Sequence, residues 1–466
     1  MKKLLVLVTT VSLMLALGAC GAPAPMPAPA PVAGGQQPAA AAAPSGDEQV
    51  TLSLWLTPQW RGVFDPSEDG ADFDSFFIYA GERFRNEINP NVTLEVQVIP
   101  GEQRSEMLNI ALQTNSLPDM FFDGSFTMLD FVHMGALAPL NDIISPESKN
   151  DIPEGIWDNV TINNQIFFYP FIHMPGTLVY NADMFREAGL DDFIGGRYDI
   201  ITWTPDEFRF ILETIRDNLP GIHPLAMFCM GFAGDTWNLS YLRMFGSTFF
   251  DDDLNIIINE ERGVRALQFM LDLNRDGLTT PGVESLSSND ALAIFANEAA
   301  AVGITNSVLF NNALSDMEEG RAPTFDARLA NTPGDPNPHT FTFVTGGMVF
   351  NTGNANTMEL AKQFIQFMSG DPELVIASQN GMPVRESVIA QVGDRIPHLE
   401  AHAANARYLF NFHRGVPGYG ELRNVLFPAL QAAFTGEMTA QEALDTYARQ
   451  GNAIIQEQRA LSVVFD

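Results

Sequence analysis

QIFFYPFIHMPGTLVYNADMFREAGL, residues 165–190, is the stretch whose reading decides how this chain folds. An apolar run, Ile166–Phe171, carries a proline, and an extended piece, Thr177–Asn181, follows it. A helix then begins at Asn181 and ends near Gly189. Asn181 suits an N-cap, because its side chain accepts from an early helical N–H. Gly189 suits the left-handed position that closes a helix. Pro170 cannot donate to a sheet ladder, so the chain is expected to leave one sheet there and enter another. The stretch therefore reads as the first crossing between two lobes, with a cleft between them.

Length and composition agree with two lobes. Residues 1–19 read as a signal peptide: Lys2 and Lys3 form a basic start and Leu4–Leu17 an apolar middle too short to span a bilayer. The segment ends Leu17-Gly18-Ala19-Cys20, which resembles a lipobox and makes Cys20 the expected site of lipidation. Ordinary secretion with a free thiol is the alternative. Residues 20–46 are rich in proline, alanine and glycine without periodicity, and are expected to form a disordered tether. At ~3.1 Å per residue its reach is at most on the order of 80 Å. The remaining stretch, about 420 residues, exceeds what one hydrophobic core holds.

The chain has 25 basic and 57 acidic residues; without Lys2 and Lys3 the balance is 23 against 57, a net charge of −34 before histidine. A body this acidic repels nucleic acid and anionic lipid surfaces, so neither is expected as a partner. Lys149 and Lys362 are the lysines left after the signal peptide, so an anionic ligand would depend on arginine or backbone N–H groups. Of the two cysteines, Cys229 lies in the apolar run LAMFCMGF and reads as core, which argues against a disulfide.

In chain order, Gln49–Leu56 alternates as a strand should and turns out through Gln59 and Trp60. In an α/β sheet the carboxyl end of a strand faces the ligand crevice, which makes both residues candidates for ligand contact. Helices are predicted over 73–89 and 105–115, with a strand over 92–99 between them. Asp123 follows the buried run Met120–Phe122, and its carboxylate can accept two hydroxyl donors; capping the segment from Ser125 is its alternative role. His173, in the crossing stretch, is a further candidate for ligand contact. Thr204-Pro205-Asp206-Glu207 is a capping box, with Trp203 and Phe208 as its hydrophobic staple. After a predicted strand over 223–231, Trp237 offers an indole face on which a pyranose can stack, core packing being the alternative. Asn306 offers an amide. Phe341–Phe350 reads as the strand returning to the first lobe, where Gly346 and Gly347 allow close backbone approach. Arg385 either reaches the cleft or forms an ion pair, and Tyr419 closes a Gly/Pro loop expected near the cleft. His398 and His402 have an i,i+4 spacing that suits a metal, but no third ligand is in view, so no metal site is expected. The segment 439–455 is a helix with its own capping box, Thr439 and Glu442.

Several of these passages resemble bacterial extracellular solute-binding proteins of family 1. They are Tyr169-Pro170, Tyr180-Asn181 with Asp183, Phe185 and Ala188-Gly189-Leu190, Pro118-Asp119 leading to Asp123, Gly135-x-Leu137-x-Pro139-Leu140, and the Thr439…Glu442-Ala443-Leu444 ending. Asn115 and Glu298 stand where glycine is usual, and Val308 where the family has tryptophan. The resemblance implies a two-lobed α/β fold of the periplasmic-binding-protein type (type II) with hinge crossovers. One lobe is expected from 47–171 plus 345–392, the other from 172–344 plus 393–466.

It further implies a substrate-binding lipoprotein of an ABC importer, monomeric and extracytoplasmic. Such a protein is anchored through Cys20, captures a carbohydrate (an oligosaccharide first) and delivers it to permease subunits. A polyamine or glycerol phosphate in the same architecture is the alternative. A glycoside hydrolase, built on a pair such as Asp123 and Glu421, is the rival from another class. No G-x-S-x-G, H-E-x-x-H, P-loop or G-x-G-x-x-G occurs, so neither catalysis nor a cofactor is expected.

Overall fold

The alternation in Val50–Leu56 becomes strand β1, with Leu52, Leu54 and Leu56 wholly buried. The computed structural model describes residues 49–58, 73–100, 103–231, 234–378, 381–392 and 398–464, so the signal, Cys20, the tether, Gln59 and Trp60 lie outside the described residues. The further strands are β2 (Val92–Val98), β3 (Met120–Gly124), β4 (Thr161–Ile162), β5 (Gln165–Ile166), β6 (Tyr169–Asn181) and β7 (Ile200–Ile201). They continue with β8 (His223–Leu225), β9 (Ala300–Asn306), β10 (Ala327–Ala330), β11 (Thr342–Val349) and β12 (Met382–Pro383).

β1 runs parallel to β2 and β3, β3 runs antiparallel to β11, and β11 antiparallel to β6. Helix Ser75–Glu87 buries Phe76, Phe77, Ala80 and Phe84. Gly81 lets that helix ride close to β2, since a Cβ there would stand 2.9 Å from Leu94 Cβ.

β6 is the pivotal element. Its first part, Tyr169–Pro175, pairs with β11; from Gly176 onward it pairs with β9, and then also with β10. The chain thus changes sheets between Pro175 and Gly176, five residues after the point that Pro170 marked. Pro170 lies within the first ladder, opposite Gly346, where the register shifts by a bulge. A bulge is one of the few places a sheet tolerates a residue with no N–H, and Pro170 contributes its carbonyl by accepting from Ser369 Oγ at 2.8 Å. At the actual crossing Gly176 donates its N–H to Phe341 O at 3.0 Å. A Cβ on Gly176 would lie 2.2 Å from the Phe341 ring, so only glycine fits there.

The return passage is likewise earlier than Gly346. Thr340 bonds Tyr408 and Phe410 through its backbone, and Thr342 already faces Pro175 in the first sheet. Gly346 sits mid-ladder between Asp123 and Pro170, where a Cβ would meet Tyr169 O at 2.1 Å. The expected strand over 223–231 shortens to β8, because Cys229 and Met230 turn their N–H groups to Leu286 O. The local caps follow the sequence. Asn181 accepts from Asp183 and Met184, Gly189 adopts φ +81°, and Thr204 with Glu207 and Thr439 with Glu442 form reciprocal capping boxes. Gly46–Asp466 form one compact body, within which the two sheet halves are continuous through β6.

Candidate functional site

Two adjoining cavities, of about 100 and 320 Å³, open between the helices that follow β2 and β3 and the helix Tyr419–Phe434. They share Asn109, Asp130 and Gly420 as walls. On the first side, helix Arg104–Gln113 brings Arg104, Leu108 and Asn109. The turn after β3 and helix Met128–His133 bring Phe126, Thr127, Leu129, Asp130 and Phe131. Tyr419, Gly420 and Arg423 face them from the first turns of Tyr419–Phe434, a helix far along the chain. Glu421, Asn424 and Gln458 continue this wall around the larger cavity.

The charges here are organised in pairs. Asp123, at the end of β3 and 1% exposed, accepts from Thr57 Oγ1 at 3.1 Å and from Arg104 Nη1 at 2.7 Å. The Arg104 guanidinium also lies over the Phe126 ring, 5.3 Å from its centroid. Opposite, Asp235 opens helix Asp235–Leu242 and is buried. It accepts from Tyr419 Oη at 2.9 Å and pairs with Arg423 through Nη2 at 3.0 Å and Nε at 3.0 Å. Burial pushes the Asp235 carboxyl up from its ordinary range, while Arg423 and the Tyr419 hydroxyl pull it back.

Asp130 differs from both. It is reached by solvent, yet protein crowds its carboxylate from both walls, and no described residue donates it a hydrogen bond. That crowding, reinforced by Glu421, holds its carboxyl above the ordinary range, with Arg104 acting the other way. Glu421 itself accepts from Gln458 Nε2 at 2.8 Å. Fixed carboxylates, guanidinium groups and aromatic rings on two facing walls suit a small polar molecule rich in hydroxyl groups.

The residues singled out in the sequence distribute unevenly around this space. Tyr419 lines it, and Asp123 stands directly behind Arg104. Trp237 does not line it. Its Nε1 donates to Thr177 O and Thr305 O at 3.3 and 3.2 Å, its ring packs edge-on to Phe341 and Phe343, and it bolts β6 to β9. His173 is buried with Nδ1 3.0 Å from Thr342 Oγ1, and burial holds its pKa down to about 4. Asn306 caps helix Ser307–Glu318 by accepting from Val308 and Leu309. Gly347 is packed so closely that a Cβ would stand 2.8 Å from both Ile365 and Phe122. Arg385 bonds Asp151, Ser148, Tyr169 and the Ser369 carbonyl, away from the cavity walls.

Sequence reasoning missed Arg104, Asp130, Asp235, Gly420 and Arg423. Each sits on a helix where a charged or small residue reads as solvated surface, and only the pairing of distant segments gives it a role. Among the described residues no group of three or more His, Cys, Asp or Glu could hold a metal ion. Nor is any described helix long and apolar enough to cross a membrane.

A family model described as bacterial extracellular solute-binding protein matches residues 67–373. A Brucella abortus protein described as a binding protein is 21% identical over 419 residues, covering 89% of this chain and 95% of its own. Among solved structures, the sugar-binding protein MalE of Xanthomonas citri superposes with a TM-score of 0.72 at 18% identity, over 88% of this chain and 99% of that one. The cyclic α-maltosyl-1,6-maltose binding protein of Arthrobacter globiformis gives 0.71 at 20% identity, over 88% and 100%. These likenesses extend to the whole two-lobed architecture.

Proposed function

Since the chain belongs to the bacterial extracellular solute-binding protein family, we propose that it captures a carbohydrate in the cavity between its two halves and hands it to the permease of an ABC importer. The observation that carries this reading is the cavity itself, walled by Arg104 and Asp130 from one half and by Tyr419 and Arg423 from the other. A ligand that touches both walls is bound best when they are close, so binding energy favours closure about the β6 crossing. The solved relatives named above include proteins described as sugar-binding and cyclic maltosyl-maltose-binding, which supports a carbohydrate over other solutes. That the two cavities adjoin favours an oligosaccharide over a single sugar ring.

Membership of an extracellular family gives an extracytoplasmic location. The finer reading is anchoring through a lipidated Cys20, supported by Leu17-Gly18-Ala19-Cys20. The protein acts as a monomeric receptor that binds without turnover. We assign one lobe to the part built on β1, β2, β3 and β11, and the other to the part built on β8, β9 and β10.

A thermal-shift screen over mono- and oligosaccharides, followed by calorimetry and product analysis, tests the reading. A true ligand at 100 times its Kd adds ~2.7 kcal/mol of stability and is recovered unchanged. Failure of every sugar to stabilise the protein, or release of hydrolysed product, would refute it.

A further inference from the structure

Beyond the strand crossing, the two halves meet again at the residues that follow helix Ala440–Leu461. That helix is tied to the stretch between β8 and β9: Asn452 Oδ1 accepts from Ile256 N–H at 2.7 Å and Asp445 Oδ1 from Asn259 Nδ2 at 2.8 Å. The next three residues then turn to the other half. Val463 donates its N–H to His133 O at 3.0 Å, and Val464 O accepts from Asn163 Nδ2 at 2.9 Å. His133 ends the helix that follows β3, and Asn163 lies in the turn between β4 and β5.

The His133 ring completes the junction. Its Nε2 lies 3.1 Å from Gly415 O, and a carbonyl only accepts, so Nε2 carries the proton. Nδ1 is then an acceptor; Ser462 Oγ, 2.9 Å away, donates to it while accepting from Val464 N–H at 3.2 Å. Gly415 is held in turn through its neighbour Arg414, whose Nη1 donates to Phe250 O and Asp251 O. His133 and Ser462 are both buried, where a hydrogen bond is stronger than in water. These bonds span the walls of the larger cavity, which has His133 and Met134 on one side and Gln458 and Leu461 on the other. A hydrogen bond is lost beyond about 3.5 Å, so a movement that draws the walls apart by more than ~1 Å parts the whole set.

Resting on the carbohydrate reading above and its closing halves, we propose that Ser462–Val464 form a latch on His133. The latch parts when the cavity opens to take up its ligand and re-forms when the halves close. It joins the walls whether or not ligand is present, so it biases the empty protein toward the closed form and slows escape of whatever the cavity holds.

Small-angle X-ray scattering and calorimetry on Ser462→Ala, Asn163→Gly and the double variant test this. Neither side chain lines either cavity, and glycine suits the φ of +50° at Asn163. Without ligand, each variant is expected to have a larger radius of gyration than the parent, the double variant the largest. With saturating maltotriose the radii should coincide. Its affinity should fall by ~3–10-fold for each bond removed, the scale of one net hydrogen bond, and stopped-flow should place that loss in faster dissociation. Thermal melting checks that the variants fold. Ligand-free radii equal to the parent's, or unchanged affinity in the double variant, would overturn the latch and leave the carbohydrate reading standing. A parent that binds no maltotriose counts against the carbohydrate reading, and the ligand-free radii then decide the latch alone.

Discussion

Gly420 provides the sharpest test of where the ligand sits. It lines both cavities and is the second residue of helix Tyr419–Phe434, and a Cβ built on it meets nothing within 4 Å. Gly420→Ala should therefore be tolerated, and replacing a helical glycine should raise stability by up to ~0.5–1 kcal/mol, toward the low end this close to the helix start. Gly420→Leu sends a branched side chain into a space of about 100 Å³. A ligand kept away from Arg104 and Arg423 loses two hydrogen bonds to charged groups, each worth ~1.5–3 kcal/mol. The affinity should then fall by at least ~100-fold, which corresponds to ~2.7 kcal/mol. Urea titration gives the stability of both variants and calorimetry their affinity for the ligand found in the screen. A Gly420→Leu protein that folds normally and binds within threefold of the parent would refute the assignment of this cavity as the ligand site.

Three further outcomes follow from the same geometry. Trp237→Phe removes the N–H shared by Thr177 O and Thr305 O, so it should cost ~1–3 kcal/mol of stability in urea titration while leaving ligand affinity unchanged; a selective loss of affinity would restore the tryptophan to the site. Gly176→Ala drives a methyl into the Phe341 ring and should destabilise by ~1–3 kcal/mol or more, measured the same way. Burial depresses His173 to about 4 and His402 and His413 to about 3. The unfolded chain binds protons at these histidines below ~6.5 and the folded one does not, so their stabilising effect is complete above that pH. It should be lost on acidification from about pH 6.5 toward 4, by up to ~1.4 kcal/mol per pH unit for each histidine. A urea midpoint flat between pH 7 and 5 would refute this.

Much of the fold could be read from local chemistry. Asn181, Thr204 and Thr439 cap their helices because a cap is decided within four residues, and Asn115 takes the left-handed conformation, at φ +55°, for the same local reason. Trp203 packs against Phe208 and Phe185, as a staple next to a capped helix should. Pro170 misled by five residues because a missing N–H has two remedies, a change of sheet or a bulge, and the sequence does not distinguish them. The site was less legible. Arg423 finds Asp235 across 188 residues and Tyr419 finds the same carboxylate across 184, contacts that no local pattern announces. Trp237 shows the converse difficulty: an indole suits a sugar face and a hydrophobic core equally, and here two backbone carbonyls claim its N–H.

The handover inside β6 also limits how the protein can move. Pro175 is still laddered to Thr342 and Gly176 is already laddered to Asn306, so the pivot is a single peptide link rather than a slack loop. The ring fixes φ of Pro175 on the near side of the link, which leaves ψ of Pro175 and φ of Gly176 as its soft torsions. The return passage at Thr340–Phe341 runs beside this link and is tied to it by the Gly176 N–H to Phe341 O bond, so the two halves should swing along a fixed arc, with a repeatable end point, instead of wandering through many relative poses.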